Sequence, residues 1–234
     1  MRSLQQLADL SGRKALVTGG AGHIGLAAGE ALIEMGADLA LLDLDEHAVL
    51  KRAAELGQNL DNTPLAMACD LHDEASTRKA IAEATEQLRG LDILVHCAAY
   101  VGTTQAQGWA APFGEQGIEA WDNALRVNLT SAFVMVQEGS DALASSGHGS
   151  VIFLGSIYGM VGPDMGLYEG TKMAHPAAYP ASKGGLLQLT RYLSTVLAPR
   201  VRVNTISPGG VWRNQPEKFH ERYKARTPLG RMAV

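Results

Sequence analysis

The sequence predicts an α/β fold: a single doubly wound domain with a parallel sheet and helices on both faces. Short apolar runs alternate with helical stretches along the chain, which is the pattern of β-α-β units. The runs are continuously apolar, as expected when helices cover both faces of a parallel sheet. The 234 residues suit one domain with a substantial core.

Six apolar runs are predicted as strands and five stretches as helices. The strands are Ala15–Thr18, Leu39–Asp43, Leu65–Cys69, Ile93–Ala98, Val151–Gly155 and Val201–Ile206. The helices are Leu26–Met35, Glu46–Leu56, Asp73–Leu88, Ile118–Glu138 and Ala181–Leu197.

Two long connections, Ala99–Gly117 and Ser156–Ala178, each follow a predicted strand. We expect both at the carboxyl edge of the sheet, where open α/β sheets bind their ligands. Loops of this length in a compact domain are usually functional or mobile.

A glycine cluster lies between the first strand and the first long helix. Gly20, Gly22 and Gly25 fit the spacing G-x-G-x-x-G, in the strand–turn–helix context of a dinucleotide-binding loop. Such glycines allow a tight turn, the approach of a pyrophosphate and close helix packing, and the helix N-terminus offers N–H groups to phosphates. An ordinary glycine-rich turn is the alternative, but the position near the N-terminus favours a Rossmann-type domain.

Acidic residues end the second and third strands. Asp43 stands 18 positions after Gly25, where a carboxylate can accept hydrogen bonds from the adenosine ribose. It would repel a 2′-phosphate, and Leu44 and the two residues after it add no Arg or Lys, so NAD is predicted rather than NADP. The alternative is that Asp43 caps the next helix. For Asp70, capping is nearly as plausible as ribose or adenine contact.

Composition excludes several classes of function. The net charge of −4 gives no basic footprint for nucleic acid. No apolar run is long enough for a transmembrane helix, and the N-terminus lacks a signal-peptide core. Cys69 and Cys97 lie in apolar runs, which indicates buried, reduced thiols in a cytoplasmic protein. No Cys/His spacing indicates a metal site.

Two Tyr-x-x-x-Lys pairs occur in the second half of the chain. Tyr179 and Lys183 are four residues apart, which on a helix places both on one face. A lysine cation lowers the pKa of a nearby tyrosine from about 10, and such a tyrosine can exchange a proton with an alcohol. Tyr168 and Lys172 share the spacing, but Gly170 makes that stretch a poor helix. We favour the first pair over the second, and over two ordinary surface residues.

Five segments occur in order along the chain: Thr18–Gly25, Val127–Leu129, Leu154–Ser156, Tyr179–Leu186 and Val203–Gly209. Together they resemble the cofactor loop, the Asn segment, the serine strand, the Tyr/Lys helix and the nicotinamide-side loop of the short-chain dehydrogenases/reductases. The resemblance covers nearly the whole chain.

The resemblance implies roles for four candidate catalytic residues. Tyr179 would be the general acid/base, and Lys183 would lower its pKa and bind the nicotinamide ribose. Ser156 would orient the substrate oxygen, and Asn128 would hold a water in a proton relay. The implied cofactor-binding residues are Gly19, Gly22, His23, Ile24, Gly25, Asp43, Leu44, Asp70, Leu71, Ala98, Ala99, Tyr179, Lys183, Pro208, Gly209 and Val211.

The implied activity is NAD-dependent hydride transfer between nicotinamide and a secondary alcohol or ketone in a homodimer or homotetramer. A non-catalytic NAD-binding regulatory protein and a nucleotide-sugar epimerase or dehydratase are the alternatives. The start of the long connection at Ser156–Gly159, its later aromatic residues and Arg213 indicate a polar, sugar-like or anionic small molecule.

Four departures from the family pattern qualify these expectations. The usual Asn-Asn-Ala-Gly is replaced by residues 96–99, which puts the polar contacts of the sheet in doubt. Gly19, Gly22 and Gly25 follow the spacing of the extended branch, and His23 replaces a glycine of the classical one, so His23 is expected beside the phosphate or ribose.

The other two departures lie in the second half of the chain. The stretch between Ser156 and Tyr179 carries an insertion containing Tyr168, Glu169 and His175. Arg213 replaces a common threonine and is either a surface residue or a contact to a substrate phosphate or carboxylate. Because the chain stops at Val234, we expect the sequence to be C-terminally incomplete, with one edge strand missing.

Overall fold

A six-stranded parallel sheet forms the centre of the computed structural model, which describes residues 3–58, 63–101, 106–171 and 173–234. The strand order is β3-β2-β1-β4-β5-β6. Since the order reverses between β1 and β4, a ligand crevice is expected at their carboxyl ends. The strands are β1 (Lys14–Thr18), β2 (Asp38–Asp43), β3 (Leu65–Ala68), β4 (Ile93–His96), β5 (Gly149–Leu154) and β6 (Val201–Ile206).

Helices connect the strands and cover both faces of the sheet. They are α1 (Leu4–Ala8), α2 (His23–Glu34), α3 (Glu46–Gly57), α4 (Glu74–Leu88), α5 (Ile118–Leu125), α6 (Ser131–Ser145), α7 (Ala178–Val196) and α8 (Glu217–Arg226). A π-helical turn, Arg126–Thr130, joins α5 to α6. Short 3₁₀ turns lie at Phe113–Glu115, Ile157–Gly159 and Met165–Leu167.

The strands bury side chains on both faces. On one face, Leu16 and Phe153 belong to a cluster that includes Met135 of α6. On the other, Val17 and Leu41 pack in a cluster with Ile33 of α2. This two-sided burial explains the continuously apolar runs and confirms the predicted single α/β domain.

Most predicted elements agree with the structure to within a few residues. The predicted helix Ile118–Glu138 contains the π turn and continues to Ser145. Helices α1 and α8 were not predicted. In α8 only Phe219 is buried, so the segment lacks the apolar periodicity that identifies a helix from sequence. Within the described ranges, no helix is long and apolar enough to cross a membrane.

Candidate active site

A cleft of about 1170 Å³ opens at the carboxyl ends of the strands. Every residue predicted to bind the cofactor lies on its walls. Three of the four candidate catalytic residues, Ser156, Tyr179 and Lys183, line it as well, whereas Asn128 does not. The two long connections both contribute to the walls, as expected for loops that follow β4 and β5.

The glycine loop leaves no space for side chains at two positions. A Cβ on Gly25 would stand 2.1 Å from the carbonyl oxygen of Gly19. Gly19 itself has a φ of +67°, and a Cβ there would stand 2.7 Å from the backbone nitrogen of Ala98. Gly22 is the N-cap of α2 and has no side chain that could accept a hydrogen bond. No side chain of the N-cap residue therefore occupies the first-turn N–H groups of the helix. This bare backbone at a helix N-terminus fits a pyrophosphate.

The carboxylate of Asp43 lines the cleft and does not cap α3. One oxygen accepts from the Ala21 N–H at 2.9 Å, and the other accepts from the Leu44 N–H at 2.8 Å. The N-cap of α3 is Asp45, whose side chain accepts from Ala48 N. The capping alternative for Asp43 is therefore wrong, and its carboxylate is held beside the glycine loop.

Asp70 and His23 also face the cleft. Asp70 lies two residues beyond β3, and its carboxylate accepts from the His72 N–H at 2.9 Å. The N-cap of α4 is Asp73, so Asp70 does not cap that helix. His23 is the first residue of α2 and is exposed, which puts its ring at the same end of the cleft as the loop glycines.

Helix α7 carries Tyr179 and Lys183 in its first two turns. Pro180 is tolerated there because first-turn N–H groups have no intrahelical partner. Lys183 is 3% exposed and donates from Nζ to the Leu154 carbonyl oxygen at 2.7 Å. Its Nζ lies 5.8 Å from the centroid of the Tyr179 ring. Burial lowers the pKa of Lys183 to about 8.

The pKa of Tyr179 is raised, chiefly by burial. A hydrogen bond with Ser156 and the charge of Arg213 act in the opposite direction. The Ser156 Oγ also accepts from the Tyr158 N–H at 3.2 Å. The net direction is upward, and the lowering of this pKa by Lys183 stays a prediction. Desolvation outweighs the charges, and the Lys183 ammonium is directed to a backbone carbonyl.

Asn128 is buried within the π turn and bonds to protein groups. Its Oδ1 accepts from the Tyr100 N–H at 2.6 Å, and its Nδ2 donates to the Tyr100 carbonyl at 3.3 Å and to the Ser182 Oγ at 2.9 Å. Both amide protons are thus committed to protein acceptors. The side chain ties the β4 connection to α7, and its water-holding role stays a prediction.

The sheet keeps a polar contact where residues 96–99 depart from the family pattern. The buried His96 places Nδ1 2.8 Å from the Thr18 Oγ1. Burial lowers the pKa of His96 to about 3, so the ring is neutral. Cys97 next to it is partly buried, and burial raises its pKa to about 12, which makes it a poor nucleophile.

The insertion before Tyr179 builds an aromatic wall that sequence reasoning did not assemble. The His175 ring meets the rings of Tyr158 and Tyr168 edge-on, with centroids 4.7 Å and 5.7 Å away. It contacts Tyr179 in the same way at 5.7 Å. Tyr168 and Tyr158 share a hydrogen bond, and burial together with this bond raises the pKa of Tyr168. The signal in the sequence was the aromatic content of the insertion.

Helix α8 packs against this insertion. Phe219 stacks on Tyr168 with ring centroids 5.3 Å apart, and Arg226 forms a 2.6 Å ion pair with Asp164. Tyr168 lines the cleft, while its sequence partner Lys172 lies outside the described residues. The insertion and α8 together form part of the cleft wall.

Arg213 lies on the cleft wall between β6 and α8. The side chain is exposed, and in the described part of the chain its guanidinium makes no ion pair with a carboxylate. Arg213 is therefore a surface residue that lines the same cleft as Tyr179, which leaves a substrate contact open.

Comparisons with known proteins agree with this architecture. A family model described as short chain dehydrogenase matches residues 13–222. The chain is 31% identical over 228 residues to the 2,5-dichloro-2,5-cyclohexadiene-1,4-diol dehydrogenase LinX of Sphingobium indicum, covering 95% of this chain and 84% of the relative. It is 33% identical over 200 residues to the D-threitol dehydrogenase of Mycolicibacterium smegmatis, covering 85% of this chain and 70% of that one.

A solved structure extends the comparison to the backbone. The NADPH-dependent 3-quinuclidinone reductase of Rhodotorula rubra superposes with a TM-score of 0.85 at 26% identity, covering 100% of this chain and 84% of that chain. The superposed backbone includes the glycine loop, the strand that precedes Ser156 and the helix that carries Tyr179 and Lys183.

Proposed function

Because this chain belongs to the short chain dehydrogenase family of oxidoreductases, we propose that it transfers a hydride between NAD and a secondary alcohol or ketone. The observation that carries the proposal is the meeting of Ser156, Tyr179 and Lys183 on one wall of a cleft. The glycine loop and Asp43 line the same cleft. Fold alone would not support a reaction, but these side chains provide a proton-transfer group beside a dinucleotide cradle.

The residues of the cleft divide the work between binding and proton transfer. The backbone around Gly19, Gly22 and Gly25 would hold the pyrophosphate, and Asp43 would accept from the adenosine ribose hydroxyls. When bound, the oxidised nicotinamide supplies the acceptor for the hydride of the carbinol carbon. Lys183 would contact the nicotinamide ribose.

Tyr179 would move the proton. In ketone reduction, its protonated Oη gives a proton to the forming alcohol oxygen; in alcohol oxidation, the phenolate left after Tyr179 has lost its proton to water accepts the hydroxyl proton. Ser156 shares a hydrogen bond with Tyr179 and would hold the substrate oxygen within reach. Buried Tyr179 is a weak acid in the free protein, so its protonated form is the stable one at neutral pH.

NAD is proposed over NADP because of charge. The Asp43 carboxylate is fixed by two backbone N–H groups, and a 2′-phosphate there would meet a negative charge at short range. The 3-quinuclidinone reductase of similar fold is NADPH-dependent, so the proposal depends on this side chain and not on the fold.

Replacement of Tyr179 by Phe tests the assignment. We expect Tyr179→Phe to abolish turnover while NAD affinity stays within about twofold, because only the proton-transfer group is lost. The matched variant Tyr168→Phe should keep turnover. Loss of turnover in Tyr168→Phe and not in Tyr179→Phe would reject the assignment.

A substrate screen tests the reaction class. Sugars, nucleotide sugars and simple alcohols are incubated with NAD or NADP, and NADH or NADPH absorbance is followed. Reduction of NAD by a polar alcohol is expected, whereas activity on apolar ketones alone would reject the polar substrate. Copurified NAD with no net NADH production would indicate an epimerase or dehydratase.

A further inference from the structure

Charge is divided along the cleft. The acidic side chains that line it, Asp43, Asp70 and Glu119, lie toward the β2 and β3 side. Asp43 ends β2 and Asp70 follows β3. Glu119 stands one helical turn from Asn123, which bonds His72 beyond β3. This half would favour ribose hydroxyls and disfavour added phosphate.

The cationic side chains that line the cleft, Lys183 and Arg213, lie on the β5 and β6 side. Lys183 is almost fully buried and donates to Leu154, and the proposed function assigns its ammonium to the nicotinamide ribose, so Arg213 is left for the substrate. Asp164 is the acidic residue whose charge acts on the tyrosines of the insertion, and it is already paired with Arg226.

Arg213 is therefore the accessible cation of this half. Among the residues that the structure describes, no carboxylate pairs with its guanidinium. A guanidinium presents a planar set of donors that matches a carboxylate in a two-point contact. Arg213 and Tyr179 line the same cleft, and the charge of Arg213 acts on the Tyr179 hydroxyl, so one small molecule can contact both.

The backbone that carries Arg213 is held in place. Its N–H donates to the Gln215 Oε1 at 2.8 Å, and the Gln215 Nε2 donates to the Val211 carbonyl at 2.8 Å. Trp212 N–H donates to the Ala233 carbonyl at 2.8 Å. Because the backbone of Arg213 is already ordered, only its side chain loses conformational entropy when a ligand binds. The guanidinium is therefore well placed to bind an anion.

The tyrosine wall adds neutral polar groups. Tyr158 and Tyr168 share a hydrogen bond, so one of their two hydroxyl protons is left for another acceptor. His175 between the tyrosines has a pKa lowered by burial, so it adds no charge at neutral pH. The substrate half thus combines one accessible positive charge with hydroxyl groups.

We propose that Arg213 binds a carboxylate of the substrate, and that the enzyme oxidises the hydroxyl of a hydroxy acid or sugar acid. The inference rests on the proposed function and names its substrate class. A single accessible cation matches a monoanion, whereas a phosphate dianion would keep half its charge uncompensated. The carboxylate does not react: it orients the molecule while the carbinol carbon gives its hydride to NAD and the hydroxyl gives its proton to Tyr179.

Matched substrates test the proposal. The probes are glucose, glucuronate and glucose 6-phosphate, the corresponding galactose series, and the pair threitol and threonate. Initial rates of NADH formation give kcat/KM for each. We expect the carboxylate member to exceed its neutral partner in at least one series. In Arg213→Gln this preference should fall about tenfold or more, as expected for loss of a charge-assisted contact. Arg213→Lys should restore part of it.

Arg200→Gln is the matched control. Arg200 is exposed and directly precedes β6, at the amino edge of the sheet away from the cleft. The Arg200→Gln variant should therefore show the same preference for carboxylate substrates as the wild type. A preference for neutral partners, or an equal preference in wild type and Arg213→Gln, would overturn the inference while leaving the hydride transfer intact. A preference for the phosphate member would also overturn it.

If none of the probes is oxidised, binding measurements test the carboxylate site instead. Thermal shifts are then measured with each carboxylate in the presence of NAD. Stabilisation of the wild type and Arg200→Gln but not of Arg213→Gln supports the carboxylate site, even though the proposed reaction has then failed on this panel. No stabilisation by any carboxylate overturns the inference.

Discussion

The His96 ring places its Nδ1 2.8 Å from the Thr18 Oγ1, joining β4 to β1 directly beneath the glycine loop. Both residues are about 1% exposed. Thr18 Oγ1 also lies 3.4 Å from the Ala98 N–H, from which it accepts. The pair therefore connects the two strands at which the strand order reverses, and it does so with a histidine that must stay neutral.

The neutrality of His96 predicts an acid-sensitive fold. Burial lowers its pKa from 6.5 to about 3, so between these pH values the unfolded chain binds a proton that the folded chain does not. Stability should fall as pH decreases below about 6.5, by at most about 1.4 kcal/mol per pH unit from this group. Urea unfolding of His96→Asn should give a shallower slope than wild type from pH 6.5 to 5. The exposed His47→Asn is the control, and an equal slope in His96→Asn would contradict the prediction.

Lys183 predicts a pH dependence of stability with the same sign in alkaline solution. Burial lowers its pKa from 10.5 to about 8, so above pH 8 the unfolded chain again holds more protons than the folded one. Wild-type stability should gain up to about 2 to 3 kcal/mol from this group as pH rises from 8 to 10. Lys183→Met should lack that gain when unfolding free energies are compared, whereas Lys51→Met, on an exposed side chain, should keep it. A wild-type curve that stays flat across this range would show that the ammonium is solvated.

The charge of Asp43 is expected to set the preference for NAD over NADP. Asp43→Asn removes the negative charge but keeps an acceptor, so NADP affinity should rise and NAD affinity should fall, changing their ratio about tenfold or more. Fluorescence titrations with NADH and NADPH measure both dissociation constants.

The control for this prediction is Asp45→Asn, which alters the N-cap of α3 two residues away. It changes helix stability slightly, since Asp and Asn are both good N-cap residues, and should leave the cofactor ratio as in wild type. Equal ratios in the wild type and Asp43→Asn would mean that this carboxylate does not set the preference.

Local chemistry made the cofactor end of the cleft predictable from the sequence. Gly22, Gly25 and Asp43 lie within one strand–turn–helix–strand unit, where spacing in the chain fixes spacing in the fold. Tyr179 and Lys183 share a helix, so their relation follows from helical periodicity. For such residues the chain order carries the three-dimensional information.

The substrate end depends on contacts between distant segments. His175 meets Tyr158 through the path of an insertion that has no periodicity, and α8 covers it with a single buried side chain, Phe219. The raised pKa of Tyr179 follows from its burial. The residues next to Tyr179 in the sequence do not predict that burial. Asn128 was identified by its segment, but its bonds to Tyr100 and Ser182 join three separate parts of the chain.

Position 25 is the glycine of the loop at which a side chain is expected to be least tolerated. A Cβ there would stand 2.1 Å from the Gly19 carbonyl oxygen and 2.7 Å from its carbon. These are backbone atoms of the loop itself, so Gly25→Ala can be accommodated only if α2 moves away from β1 or the loop changes its conformation. We expect a lower melting temperature, by several degrees, and a loss of NAD binding of at least tenfold.

Gly162→Ala separates this clash from the general effect of replacing glycine. A Cβ on Gly162 meets nothing within 4 Å, so the variant should keep its melting temperature and NAD affinity, or gain slightly from the reduced freedom of its unfolded chain. Calorimetry for binding and thermal unfolding for stability compare the two variants. Normal NAD affinity in Gly25→Ala would mean that the loop can rearrange without loss of the phosphate cradle, and the close packing of α2 on β1 would then not be what binds the dinucleotide.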